Sequence, residues 1–178
     1  GIYSVKGVGE SWSFHNGAIP HAEYMQQIEG FTAKRYDPAA WAELIRKSGA
    51  QYAVITTKHH DGFSMWDTRQ TDYRITGPKT PFALNPRADV TRAIFDAFRA
   101  EGLWAGAYFS KPDWHSPDYW WPYYATPDRH PNYDLKKYPE RWNRFVEFTH
   151  AQIGELMSDY GRIDILWLDG GWVRPLTD

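Results

Sequence analysis

The stretch GAQYAVITTKHHDGFSMW (residues 49–66) decides the architecture. Gly49 supplies the stop after an upstream helix, because glycine closes a helical C-terminus without a Cβ clash. Ala50 and Gln51 leave only a short connection, and YAVITT (52–57) follows as an apolar, β-branched run of strand length. Lys58, His59, His60 and Asp61 come next, and Phe63, Met65 and Trp66 lie on the loop beyond. A buried strand that ends in an ammonium, two imidazoles and a carboxylate is expected to form one wall of a pocket for a polar ligand.

Working outward, the same unit recurs. Upstream, Asp37 is a plausible N-cap and Pro38 suits the first helical position, with Trp41, Leu44 and Ile45 facing one way up to Gly49. Downstream, a helix is expected from near Asp89, with Ile94, Ala97 and Phe98 on one face and Gly102 past its end. A second strand, LWAGAYFS (103–110), leads to a helix opened by Pro139, where Trp142, Phe145, Val146, Ile153, Leu156, Met157 and Tyr160 keep helical spacing up to Gly161. A third run, IDILWLDGG (163–171), follows. Alternating strands and helices imply an α/β fold with a parallel sheet, and near-continuously apolar strands imply that both faces are covered. Helix-to-strand connections are short, whereas strand-to-helix segments are long. The elaboration therefore sits at the strands' C-terminal ends, where α/β barrels and open α/β sheets place their sites. His59, His60 and Asp169 fall at those ends.

Composition bounds the function. With 178 residues the chain suits one domain but is too short for a complete eight-stranded α/β barrel, typically about 250 residues. Net charge is −2 and the basic residues form no run, so neither nucleic acid nor an anionic membrane is an expected partner. The absence of Cys excludes thiol catalysis, disulfides and thiolate metal sites. No stretch approaches the roughly 20 apolar residues of a membrane span, and no signal peptide is legible; since the first residue is Gly1, the latter says nothing of compartment. The chain has 10 Trp, 12 Tyr and 9 Phe, most densely at PDWHSPDYWWPYY (112–124). Five prolines between 112 and 131 argue against a helix or central strand there. Exposed rings on such a loop would form a binding surface, and a loop packed on its own rings is the alternative.

Asp169 ends the third run and precedes two glycines that let the backbone turn sharply. Its carboxylate either caps that turn or is held rigidly between Trp167 and Trp172, which can shape an apolar pocket for a sugar ring. Adjacent positions on an extended strand point to opposite faces, so joint metal ligation by His59 and His60 is sterically awkward. The two are either satisfied structural groups or hydrogen-bonding partners of sugar hydroxyls, the latter if the strand's end twists both toward the mouth. GVGESWSFHNG (7–17) adds Glu10 and Trp12 in a glycine-flanked loop, where a charge is usually just solvated.

YAVITTKHHDGFSMWDT, WAGAYFSKPDW and ILWLDGGW, in this order and at these spacings, resemble glycoside hydrolase family 29, the retaining α-L-fucosidases. GIYSVKGVGESWSF and FTAKRYDPAAWAELIRKSGAQYAV are also similar to that family, so the resemblance covers nearly the whole chain. It implies a partial (β/α)8 barrel in which residues 1–178 are part of one catalytic domain and supply roughly strands two to four, without the first strand and the C-terminal half. It implies that Asp169 is the catalytic nucleophile, that His59 and His60 contact fucose hydroxyls, and that Tyr108 and Trp167 line the same pocket. Many members carry an adjacent Glu-Trp pair that reaches the sugar; here Ser11 separates Glu10 from Trp12, so that correspondence is looser.

The implied activity is removal of terminal α-L-fucose from oligosaccharides or glycoconjugates by double displacement, with no cofactor or metal. A second carboxyl must protonate the departing oxygen, and no Glu follows Asp169 in this sequence. These residues alone are therefore expected to be inactive and to need the remainder of the barrel or a complementing chain. A secreted, periplasmic or lysosomal-type compartment is what the resemblance implies. A non-catalytic carbohydrate-binding protein on the same scaffold and another retaining barrel glycosidase, such as an α-galactosidase, are the competing readings.

Overall fold

The computed structural model of the protein describes residues 10–120 and 129–174. Three strands, β1 (Tyr52–Lys58), β2 (Trp104–Ser110) and β3 (Ile165–Asp169), form one parallel sheet in the order β1-β2-β3. Two short helices, α1 (Trp12–His15) and α2 (His21–Met25), precede α3 (Pro38–Lys47), which leads into β1. Helix α4 (Val90–Ala100) lies between β1 and β2, and α5 (Pro139–Asp159) between β2 and β3. The helix starts follow from local chemistry. The Asp37 carboxylate accepts the Ala40 N–H at 3.1 Å and Asp89 accepts that of Arg92 at 3.1 Å, each satisfying one of the donors a helix start leaves unpaired. Pro38 and Pro139 sit in first turns, where no N–H is needed.

The sheet packs all three long helices against one face. Ala105, Ala107 and Phe109 of β2, with Ala53, Ile55 and Leu166 beside them, meet Ala42 of α3, Ile94, Phe95 and Phe98 of α4, and Leu156 of α5. Each fully buried large apolar side chain there contributes about 1.5–3 kcal/mol. Strand alternation turns Tyr108 and Ser110 to the opposite face, and the register sets Tyr108 beside Trp167 and Ser110 beside Asp169. On that opposite face Tyr52, Trp104 and Trp167 are exposed. The described residues thus cover one face, not the two that the apolar runs suggest.

Two helix faces also differ from expectation. Trp41 and Leu44 are 49% and 68% exposed, because α3 buries Pro38 and the small Ala42 instead, which lets it approach closely. Helix α5 buries Phe145 and Leu156 but also Thr149, Gln152 and Glu155, while Met157 stays exposed. Those polar groups find partners in the loops: Gln152 accepts from Lys58 Nζ at 2.8 Å, and Glu155 accepts from Trp66 Nε1 at 3.1 Å.

A second core lies among the loops beyond the strands' C-terminal ends. Phe14, Tyr24, Phe63, Tyr73, Ile75, Phe82, Trp114, Tyr119 and Trp120 belong to it. Trp114, Tyr119 and Trp120 of the proline-rich segment are fully buried, so in residues 112–120 the rings are packing rather than a binding surface. Residues 121–128, which the aromatic run also includes, lie outside the described residues.

Candidate active site

The end of β1 departs from a regular ladder. Thr56 pairs with Tyr108, but Lys58 pairs with Phe109, so Thr57 is an extra residue in a bulge. Thr57 is buried and gives its hydroxyl proton to the Tyr108 carbonyl at 2.7 Å. The bulge turns Lys58 to the helix side, where it is wholly buried, 4.4 Å from the Phe109 ring centroid and 3.3 Å from the Asp113 carboxylate. Lys58 is therefore not part of the pocket wall that its sequence position suggests. Asp61 is also buried, accepting the Tyr24 hydroxyl at 2.9 Å and the Phe63 N–H at 3.2 Å, and it ties the loop together from behind.

His59 and His60 come off the strand into a turn closed by the Gly62 N–H on the His59 carbonyl at 3.0 Å. Outside an extended segment the rule of opposite faces no longer applies, and their ring centroids lie 4.3 Å apart. His59 stacks at 15° on Tyr108, with 5.9 Å between centroids. Its Nδ1 lies 3.1 Å from Ser11 Oγ and 3.4 Å from Glu10 Oε2. His60 Nδ1 lies 2.6 Å from Ser110 Oγ, and its Nε2 lies 3.8 Å from Asp169 Oδ2. Burial pushes the His60 pKa down to about 3, helped by the neighbouring His59 and opposed by Asp169. Burial likewise lowers that of His59, against the Asp61 and Glu10 carboxylates. Both rings are neutral near pH 7.

Asp169 is the last residue of β3, and its side chain is 39% exposed. The Tyr108 hydroxyl donates to Oδ2, and the Gly170 N–H donates to Oδ1 at 2.6 Å. Partial burial raises its pKa, but these two donors, with the imidazoles of His60 and His59, outweigh it and hold the carboxyl below its usual range. Gly170 has a φ of 79°, and a Cβ there would stand 2.2 Å from Pro112 Cδ. Only glycine lets the chain turn away directly behind the carboxylate, so the β2 loop fixes where Asp169 ends up.

The remaining expected residues fall around this point to different degrees. Trp12 meets His60 edge-on at 6.0 Å, and Trp172 meets it edge-on at 5.1 Å, with Trp12 and Trp172 6.1 Å apart. Glu10 joins through Ser11, whose hydroxyl donates to Glu10 Oε2 at 2.9 Å. Trp167 shares the strand face of Asp169 and is 60% exposed. Sequence reasoning missed Ser110, Ser11 and the buried Trp114, whose ring backs His60 at 4.9 Å. Ser110 had a legible signal, since it lies two residues after Tyr108 on the same strand face. Trp114 had none, being one ring among many.

Cavities of about 510 Å³ beside Tyr36 and Trp41 and about 420 Å³ beside Met25 and Tyr73 do not include Asp169. Among the described residues no three His, Asp or Glu side chains converge so as to hold a metal ion. What the site offers is an ionised, partly open carboxylate next to two neutral imidazoles and a rim of indoles. That set suits a neutral polyhydroxyl ligand: oxygen and nitrogen acceptors for hydroxyls, ring faces for C–H surfaces, and one anionic oxygen for attack on carbon.

A family model described as alpha-L-fucosidase matches residues 1–178. The tissue alpha-L-fucosidase of Mus musculus is 30% identical over 160 residues, covering 89% of this chain and 31% of the mouse protein. The solved alpha-L-fucosidase isoenzyme 1 from Paenibacillus thiaminolyticus is 39% identical with a TM-score of 0.77, covering 95% of this chain and 38% of that one. An alpha-L-fucosidase of glycoside hydrolase family 29 from Bacteroides thetaiotaomicron, solved as a trapped covalent intermediate with 2-fluoro-fucosyl fluoride, is 30% identical with a TM-score of 0.74, covering 92% of this chain and 33% of that one. The chain thus spans about a third of the length of these relatives. Matched from end to end by that model, the chain belongs to the alpha-L-fucosidase family.

Proposed function

We propose that this chain is the nucleophile-bearing part of a retaining α-L-fucosidase acting on fucosylated oligosaccharides or glycoconjugates. Residues 1–178 would form part of one catalytic (β/α)8 barrel, with β1, β2 and β3 as its second, third and fourth strands. The observation that carries the reading is the Asp169 carboxylate, held at a strand's C-terminal end by the Tyr108 hydroxyl and the Gly170 N–H, beside the paired imidazoles. In the first step an Asp169 oxygen forms a bond to the anomeric carbon as the glycosidic C–O bond breaks, through an oxocarbenium-like transition state. A second carboxyl gives its proton to the departing oxygen. In the second step that group takes a proton from water, whose oxygen displaces Asp169 and restores the original configuration. The two hydrogen bonds keep Asp169 ionised and aimed, which nucleophilic attack requires. His59 and His60 would bind sugar hydroxyls. Tyr108, Trp167, Trp12 and Trp172 would shape the pocket, and Glu10 would reach it through Ser11.

Retaining enzymes place the acid about 5–5.5 Å from the nucleophile. Since the chain spans about a third of its relatives' length, we assign the acid to the remainder of the barrel or a complementing chain and expect these residues alone to be inactive. The test is treatment of the full-length protein with a 2-fluoro-fucosyl fluoride, followed by peptide mass spectrometry. A covalent label on the peptide holding Asp169 is expected, and a label elsewhere overturns the assignment. A panel of aryl glycosides separates the fucosidase from an α-galactosidase, and sugar binding without turnover would favour a carbohydrate-binding protein.

A further inference from the structure

Ser110 is fully buried, and its hydroxyl stands 2.6 Å from the Pro112 carbonyl as well as 2.6 Å from His60 Nδ1. A hydroxyl has one proton to give. If it went to His60, two acceptor oxygens would face each other at 2.6 Å with no water to intervene, a cost a buried site does not sustain. The proton therefore goes to Pro112, and Ser110 Oγ must accept from a protonated Nδ1. The neighbouring ring has a similar arrangement, with a partly exposed carboxylate as the final acceptor. Ser11 is buried and donates to Glu10 Oε2 at 2.9 Å, so its oxygen accepts from His59 Nδ1 at 3.1 Å. In each case a serine relays a hydrogen bond from a ring nitrogen to a fixed acceptor.

We propose that Ser11 and Ser110 are positioning residues that lock His59 and His60 in the Nδ1–H tautomer, so that each ring offers its Nε2 lone pair to a sugar hydroxyl. The role in catalysis rests on the fucosidase reading above. The sugar hydroxyls facing these rings must then be donors. His60 Nε2, 3.8 Å from Asp169 Oδ2, then carries no proton to give the nucleophile, whose hydrogen bonds come from the Tyr108 hydroxyl and the Gly170 N–H. Ser11 is the residue that interrupts the Glu-Trp pair, so the looser match to the family pattern has a structural use.

The test combines nitrogen NMR of ring-¹⁵N-histidine with kinetics, both on the full-length protein. Both histidines are expected to show a protonated Nδ1 and an unprotonated Nε2. Ser110→Ala should let His60 take the Nε2–H form and lower kcat/KM for an aryl α-L-fucoside by roughly 10–100-fold, the usual loss when a partner orienting an imidazole is removed. Ser11→Ala should do the same at His59 without moving the His60 signals, and Ser110→Thr, which restores a hydroxyl, should recover the His60 tautomer. An Nε2–H tautomer in the unsubstituted protein, or tautomers unmoved by both alanine variants, overturns the proposal. A protein with the expected nitrogen signals but no fucoside turnover would support the serine assignment and remove the functional reading instead.

Discussion

The two cores of this protein are built on different physics. Beneath the sheet, Ala105, Ala107, Phe109, Ile94, Phe95 and Phe98 meet as aliphatic and aromatic surface, with strand and helix periods selecting who faces whom. Above it, the loop core encloses charge: Asp61 and Asp113 are buried beside Phe63, Tyr73 and Trp114, and Lys58 reaches the Asp113 carboxylate from the helix side at 3.3 Å. Asp113 also accepts the N–H groups of His115 and Ser116, each at 3.0 Å, and a Cβ on Gly62 would stand 2.3 Å from its Oδ1. The lower core tolerates substitution according to volume. The upper one depends on its buried charged groups keeping their partners, and it is the one that positions the histidines.

Five measurements on the full-length protein would break or sharpen this contrast. Asp169→Asn, at the open edge where the cores meet, should reduce turnover of an aryl α-L-fucoside on the order of 10³-fold or more, with little change in melting temperature. Lys58→Met should destabilise by about 3–5 kcal/mol in urea titration, because it strands the buried Asp113 carboxylate, and adding Asp113→Asn should restore more than half of that. Phe98→Ala should cost a similar 3–5 kcal/mol through a cavity, and no second polar change should rescue it. If Lys58→Met proves as benign as a surface change, the contrast fails.

The fourth is pH. Burial lowers the pKa of His21 to about 4 and of His60 to about 3, whereas an unfolded histidine titrates near 6.5. Between those values the unfolded chain takes up protons that the folded one refuses, so it gains relative stability as pH falls. Melting temperature should hold above about pH 6.5 and decline as the pH drops toward 4, and His21→Asn should flatten that slope. The smallest effect belongs to Trp41→Ala on the exposed face of α3, at less than about 0.5 kcal/mol.

The contrast also explains what could be read from residues alone. The run YAVITT, the caps Asp37 and Asp89 and the prolines at 38 and 139 announce local structure by local chemistry, and β1, α3, α4 and α5 start where those signals stand. Asp169 and the histidines were legible as a group because strand ends collect at one edge. The loop core was not. That Trp114 and Trp120 are buried depends on residues such as Phe14 and His15, which stack or pack on them from a remote part of the chain. The burial of Gln152 and Glu155 on α5 was not legible either, because it answers to Lys58 and Trp66, which lie far off in the sequence.

The extra residue at Thr57 has an electrostatic outcome for the chemistry at the sheet's edge. In an unbulged ladder of this sequence, Lys58 would fall opposite Ser110 and project its ammonium toward Asp169. A fixed cation there would neutralise the Asp169 carboxylate and draw anions to that edge of the sheet. One inserted threonine thus sorts three consecutive side chains, sending the permanent charge into the scaffold and the two titratable rings to the side of Asp169.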